Sequence, residues 1–476
     1  MNIAELTAFA PFVVLAITAL VVMLSIAFYR YHVVANLVAL LGIAVSFLAL
    51  PMVASRIPEQ VTPLIIMDKF ALFYSGLILG ATFLTAMLSY DYLEGNTDDP
   101  EEYYLLLLLA ALGSVILVAS SHFASFFLGL EILSISLYAL IAYPQGGMRH
   151  IEAGVKYLIL AALSSAFLLF GMALVYAETG TMEFAKLAHQ APNAGGPVFL
   201  AGIALIIAGI GFKLAVVPFH MWTPDVYEGA PAPVTGFIAT VSKGAMFALL
   251  LRYFISVDVV SHRSIFLVFV VISVASMFVG NILALLQKNV KRILAYSSIA
   301  HLGYLLVAFL AAGPFRVAAV TYYLVAYFIT TLGAFGVITV LSGKEREADD
   351  IADYQGLASR RPWLAGIFTA MLFSLAGIPL TAGFFAKYYV LLAGVGSTLW
   401  FLVIILAINS AIGLYYYLRI IIAMYGQAGE KIQHIGEGIS MMGGFVLVFL
   451  TFLLVWFGVY PAPLVELIQK TAGLLG

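Results

Sequence analysis

The sequence predicts an all-α polytopic membrane protein of about fourteen transmembrane helices, two of them discontinuous, with an inverted repeat relating spans 4–8 to spans 9–13. Three observations carry this expectation. Hydrophobic residues fill 63% of 476 positions and charged residues only 10%, against roughly 25% charged in a soluble domain, so the chain cannot clothe itself for water. Apolar runs of about 20 residues, enough to cross a bilayer, recur from end to end. Two of those runs, five spans apart, are interrupted by proline and glycine.

The runs lie near 11–29, 33–54, 70–92, 103–119, 122–143, 151–177, 196–218, 232–255, 264–286, 291–312, 315–342, 362–395, 397–425 and 438–460. Lipid offers no partner to an open backbone group, so stretches this long and continuous read as helices. The first, Pro11 to Tyr29, follows a segment with Glu5 and no Lys or Arg. Lacking a positive leader and a small-residue cleavage site, it is expected to be a retained span. The expected organisation is 1–102 for spans 1–3, 103–255 for the first repeat half, 264–425 for the second, and 426–476 for span 14.

Loop cations orient the chain. One side holds Arg30, Arg149, Lys288, Lys291, Arg292, Lys344, Arg346, Arg360, Arg361 and Lys431, and the other holds Arg56, Lys69, Lys186, Arg263, Arg316 and Lys470. The richer side is expected to be cytoplasmic, with both termini periplasmic. The long polar connection 343–361 between spans 11 and 12 reads as a solvated linker in preference to a docking surface. Cysteine is absent, which excludes disulfides, thiolate-held iron–sulfur clusters and thiolate zinc. No two of the eight histidines stand at i, i+4 spacing, and the net charge of −2 does not suit nucleic acid.

Six cations fall inside spans: Lys156, Lys213, Lys243, Arg252, Lys387 and Arg419. Arg252 and Arg419 sit toward helix ends and are expected to snorkel. The four lysines sit deeper, as does Glu131. At roughly 2.5–3.5 kcal/mol each at mid-bilayer, the five represent about ten kcal/mol or more of unfavourable placement, which packing alone does not explain. A buried ammonium loses hydration, while a carboxylate about 4 Å away returns about 4 kcal/mol at an effective dielectric near 20. Movement of Glu131, the only acidic residue deep in a span near these lysines, would therefore load and release a proton. The competing reading is that the charges merely lock helices together, and for Lys156, near a helix start, the two readings weigh about equally.

Each break has a lysine beside it. GFKLAVVPFHMWTPDVYEGAPAPV, residues 211–234, clusters Pro218, Pro224, Gly229, Pro231 and Pro233 after Lys213, and SLAGIPLTAGFFAKYYV, residues 374–390, places Gly377, Pro379 and Gly383 before Lys387. Proline opens the hydrogen-bond ladder, and the freed groups must face protein or water, so each break predicts a hydrated pocket. An odd offset of five spans makes the two breaks antiparallel, as an inverted repeat requires. His301, within AYSSIAHLGY beside Ser297, Ser298 and Tyr304, titrates in the useful range and is either a relay or a packed, hydrogen-bonded histidine. His220, at the first break, is a second candidate relay. His122 reads as interfacial, Asp225 and Glu228 as an inlet or a solvated turn, and LYYYLR, residues 414–419, as an aromatic belt.

The long segment from Gly211 to Lys243, together with FLGLEILSISLYAL around Glu131, VKRILAYSSIAHLGY and AGIPLTAGFFAKYYV, resembles the signature of the antiporter-like membrane subunits of respiratory complex I over nearly the whole chain. Within that family it looks most like the N branch, on three features: lysine at 387, the LYYYLR segment, and the lack of a long C-terminal lateral helix. The resemblance implies a proton pathway of Glu131 paired with Lys213, Lys243 on the central polar axis and Lys387 on the outward half-channel, with Lys156 in a less defined role. It implies a translocase subunit of a bacterial inner membrane that carries no redox centre or cofactor itself. NADH, FMN, iron–sulfur clusters and quinone would be handled elsewhere in the complex, with membrane subunits K and M and lipid as neighbours. The alternatives are an Mrp-type cation/proton antiporter subunit and a non-pumping scaffold. The dearth of other carboxylates in the spans disfavours a sodium site, since hard cations want several oxygen ligands.

Overall fold

The computed structural model describes residues 7–54, 59–143, 148–190, 196–256, 262–313, 315–343, 346–427 and 441–472. Three cations used above for orientation, Arg56, Lys344 and Lys431, lie outside the described residues. Thirteen helices in the described residues are long and apolar enough to cross a membrane. The twelfth expected span completes the set as two shorter apolar helices, Pro362–Ala376 and Ala382–Gly396. The exception to an all-α chain is a small antiparallel hairpin between the second and third spans, Glu59–Thr62 against Ile65–Met67. It forms because Val61, Thr62, Ile65 and Ile66 are β-branched and its turn carbonyl, on Leu64, is taken by Ser121 N–H and Ser125 Oγ.

Packing partners recur between the halves. The fourth span (Glu101–Ala119) packs on the fifth (Phe123–Ile141) as the ninth (Arg263–Leu285) packs on the tenth (Val290–Leu310). The sixth (Met148–Thr179) packs on the seventh (Pro197–Leu214) as the eleventh (Phe315–Leu341) packs on both pieces of the twelfth. The eighth (Ala232–Ile255) returns to the fourth as the thirteenth (Trp400–Tyr425) returns to the ninth. The centre is formed by the eighth, tenth and eleventh spans, whose apolar windows are 100%, 94% and 94% buried. Polar side chains on these three helices are therefore shielded from lipid.

Both breaks have the same construction. The seventh span ends at Ala215, in the left-handed region at φ 59°. The chain then turns through Val216–Met221 before a short helix, Trp222–Gly229. Groups freed by the break are taken up locally: Trp222 Nε1–H donates to the Phe212 carbonyl at 2.9 Å, and Ser276 Oγ accepts from Val217 N–H at 3.0 Å. The first piece of the twelfth span ends at Gly377, φ 86°, and Leu380 follows at φ 71°. Here Gly383 N–H donates to Ser374 Oγ at 3.0 Å. Non-glycine residues in the left-handed region cost of order 1–3 kcal/mol and gather at functional sites; Ala215 and Leu380 put one at each break.

One of the two expectations about arginine fails. Arg252 does not snorkel. It is buried and grips Asp68 with both guanidinium nitrogens at 2.8 Å, while its Nε–H donates to the Val118 carbonyl. Arg419 turns inward to cap the carbonyls of Leu285 and Gln287 at the end of the ninth span. Arg252 is held by a carboxylate, and Arg419 by orphan carbonyls at a helix end. The aromatic belt fails likewise: only Tyr415 is exposed, while Tyr416 and Tyr417 are buried. His122 is half-buried at the start of its helix and caps it, its Nδ1 accepting from Ala124 N–H.

Candidate functional site

Three of the four lysines singled out by sequence are buried: Lys213 (3% exposed), Lys243 (1%) and Lys387 (8%). Lys213 stands in the last turn of the seventh span and its Nζ donates to Ser134 Oγ at 2.7 Å. Ser134 lies one turn beyond Glu131 on the fifth span, so both face the break. Glu131 forms no ion pair with Lys213; Ser165 of the sixth span donates to Glu131 Oε1 at 2.6 Å. The two members of the pair that the resemblance implies thus each take a serine hydroxyl of their own, Ser165 for Glu131 and Ser134 for Lys213.

Lys243 follows a π-helical turn, Ile238–Ser242, in the eighth span. Such turns are uncommon and tend to mark functional positions. Its Nζ donates to Ser298 Oγ at 2.7 Å, and Tyr327 OH donates to the same oxygen at 2.8 Å. Between Lys213 and Lys243 stand aromatic rings. Lys213 Nζ lies 5.1 Å from the Tyr157 ring centre, Lys243 Nζ lies 5.9 Å from that of Trp222, and those two rings are 4.9 Å apart. Such faces attract a cation without neutralising it.

Lys387 belongs to the second piece of the twelfth span, yet its Nζ reaches back to the Ala376 carbonyl at 2.7 Å and to Ser410 Oγ at 2.7 Å. Ala376 ends the first piece. Lys387 therefore serves the C-terminal end of the first half-helix, the negative end of its dipole, whereas Lys213 stands in the last turn of its own half-helix and donates to the fifth span. Gly377 permits the approach, since a Cβ there would stand 2.8 Å from Lys387 Cδ. Beside Lys387 opens a cavity of about 320 Å³ lined by Gly377, Tyr388 and Ser410 among others.

His301 lies between the two central lysines. Its Nδ1 meets Tyr323 OH at 2.6 Å and its Nε2 meets Tyr417 OH at 3.2 Å; Tyr417 in turn contacts Ser297 Oγ. A void of about 10 Å³, room for about one water, is lined by His301, Tyr327, Thr330, Ser374 and Lys387. His220 is buried with its Nδ1 lacking a hydrogen-bond partner and is not joined to this chain of contacts.

Lys156 is placed differently from the expectation of a deep residue. It is exposed and paired with Glu152 at 2.7 Å and Asp225 at 3.0 Å. Arg292 holds Asp225 and Glu228 at 2.8 Å each, so these two acids form neither a free inlet nor a bare turn but one wall of a charged cavity of about 140 Å³. Sequence reasoning missed Ser134, Ser410 and Tyr417 as partners. Their signal was spacing: Asn409, Ser410, Tyr416 and Tyr417 repeat at seven residues on an apolar helix, which gathers them on one face.

Among the described residues no carboxylate forms an ion pair with Lys213, Lys243 or Lys387, and each ammonium is held by neutral hydroxyl or carbonyl oxygen. Buried cations elsewhere are treated otherwise: Arg252 is fixed on Asp68 and Lys291 on Glu347. An ammonium with neutral acceptors can give up its proton without stranding a partner charge, whereas one in a buried ion pair cannot do so cheaply.

Residues 120–413 match the family model described as the NADH:quinone oxidoreductase/Mrp antiporter membrane family. A chain of Nitrosospira multiformis named NADH-quinone oxidoreductase subunit N is 54% identical, covering 98% of this chain and 96% of its own length. One of Methylococcus capsulatus with the same name is 45% identical, covering 97% and 94%. Among solved structures, a chain of respiratory complex I from Thermus thermophilus with bound aureothin superposes with a TM-score of 0.83 at 31% identity, covering 96% of this chain and 98% of that one. A chain of the Mrp complex from Dietzia shares the fold, with a TM-score of 0.87 at 20% identity, covering 100% and 98%.

Proposed function

Because this chain belongs to the NADH-quinone oxidoreductase subunit N family, within the wider NADH:quinone oxidoreductase/Mrp antiporter membrane family, we propose that it moves protons across a membrane as a subunit of that oxidoreductase. The route runs from Lys213, under the influence of Glu131, past the aromatic rings to Lys243, through Ser298 and His301, and out by Lys387. Redox chemistry in other subunits, where NADH, FMN, iron–sulfur clusters and quinone are handled, supplies the driving force. Other membrane subunits are its neighbours, with K and M flanking it, in a bacterial inner membrane with both termini outside. His220 and Lys156 stand off this route.

The observation that supports this reading best is the neutral lining of the three buried lysines. A scaffold would gain from pairing those charges, as the same chain does for Arg252. The test is Lys387→Ala in the intact complex, in sealed vesicles, with proton uptake and NADH-driven quinone reduction measured together. Both are expected to fall severalfold while the amount of assembled complex holds. Normal pumping by an assembled Lys387→Ala complex would refute the route.

A further inference from the structure

The connection between the eleventh and twelfth spans is not the solvated linker that its composition suggests. Asp349 O accepts from Val290 N–H at 2.5 Å, Lys288 O accepts from Ile351 N–H at 3.0 Å, and Asn289 Nδ2 donates to Asp349 Oδ2 at 2.9 Å. The segment is thus tied to the start of the tenth span, and Tyr354 anchors it from inside, fully buried. What this tie carries inward is Glu347.

Glu347 meets Lys291, whose side chain is 0% exposed, in an ion pair. The pair straddles the end of the first break. Lys291 Nζ donates to the Ala230 carbonyl at 2.6 Å, and Glu347 Oε1 accepts from Ala232 N–H at 2.7 Å. Ala230 ends the short helix after the break, and Ala232 begins the eighth span, which carries Lys243. The local cap residue, Pro231, supplies no side-chain cap, so the orphan N–H at the start of this helix is satisfied by a carboxylate from the other half of the molecule. Tyr92 of the third span donates to the same oxygen at 2.8 Å.

Resting on the proton-moving reading above, we infer that Glu347, held by Lys291, is a positioning residue that clamps the first break and the start of the Lys243 helix to the connector of the second half. Carbonyl before the seam and amide after it are bound by two ends of one ion pair. The seam cannot shift without breaking that pair or dragging the connector, so the arrangement of the first half follows that of the second.

The experiment measures protons moved per NADH oxidised by the intact complex in sealed vesicles. Glu347→Ala is expected to lower that ratio at least threefold. Glu347→Gln, which keeps an acceptor for Ala232 N–H, is expected to lower it less than twofold. A merely structural role would reduce the amount of complex and leave the ratio untouched. If Glu347→Ala does not assemble, Lys291→Met/Glu347→Gln, which leaves no unpaired charge, is measured in its place; a lowered ratio supports the clamp. A wild-type ratio in the assembled variant overturns it. Lys387→Ala run beside it separates the two ideas: if that variant also pumps normally, the proton route itself fails, and if only the Glu347 variants pump normally, the clamp alone fails.

Discussion

Asp68 offers a stability experiment whose magnitude can be worked from its contacts. Its carboxylate receives both guanidinium nitrogens of Arg252 at 2.8 Å, and Oδ1 also accepts from Ala71 N–H at 2.7 Å, capping the third span. Both partners are nearly sealed, at 6% and 5% exposed. Asp68→Asn keeps an acceptor for the cap but leaves a buried guanidinium without its counter-charge, a loss of about 3–5 kcal/mol. Asp68→Ala loses the cap as well, about 1 kcal/mol more. Arg252→Met/Asp68→Asn removes both charges and should recover most of the loss, as buried pairs replaced together often do. The assay is equilibrium unfolding of the detergent-solubilised chain for wild type, Asp68→Asn, Arg252→Met and the double variant. With each single change costing about 3–5 kcal/mol and the double variant no more than about 2, a coupling of at least about 4 kcal/mol is expected, and effects that add within about 0.5 kcal/mol would show that the two groups do not depend on each other.

Three further outcomes follow from the same geometry. Tyr417→Phe removes the hydroxyl that joins Ser297 to His301; losing about one hydrogen bond, roughly 1–1.5 kcal/mol, should slow pumping about tenfold with assembly kept, and an unchanged pumping rate would take Tyr417 off the route. Gly383→Ala would place a Cβ 1.9 Å from the Ser374 carbonyl oxygen, which is backbone and cannot yield; the amount of assembled complex in membranes should collapse, and wild-type amounts would mean that the second break is not built this way. Asp349 is raised above the ordinary carboxylate range by burial first, with Glu347 and Asp353 adding to it and Lys291 and Asn289 opposing; Arg149, 3.8 Å away, faces it too. A raised carboxyl favours the docked connector below its ordinary pKa and loses that contribution as pH climbs through the raised value. Hydrogen-exchange protection at the Val290 and Ile351 amides should therefore decline over that rise in wild type and stay level in Asp349→Asn.

Much of this was legible because lipid removes choices. Apolar runs had to be helices, so the fourteen spans could be counted, and proline with glycine inside a run had to open it. Lys213, Lys243 and Lys387 were visible for the same reason, being charges where charge is costly. Partners were harder to read. Arg252 looks the same in sequence whether it snorkels or pairs, since its fate depends on Asp68, 184 positions away. LYYYLR reads as a belt until helix phase is applied: Tyr416 and Tyr417 turn inward with Asn409 and Ser410, and Tyr415 turns out. Glu347 was hidden by its neighbourhood, because a polar segment rich in charge predicts exposure and gives no sign of which carboxylates turn inward.

Lysine precedes proline at the first break and follows it at the second. Chain order is the wrong coordinate. A half-helix ending in mid-membrane presents carbonyls with no intrahelical donor and the negative end of its dipole, and an ammonium gains from either whichever side of the break its Cα occupies. Lys213 stands in the last turn of its half-helix, and Lys387 reaches such an end from the next helix, with Gly377 clearing the way. Each donates to a serine from a neighbouring span, Ser134 or Ser410. The two sites share a chemistry that sequence alignment of the halves would not align: a cation beside a helix break, held by groups that stay neutral. On the proton route proposed above, that property lets a proton leave, and it would be lost by placing a permanent carboxylate at either serine.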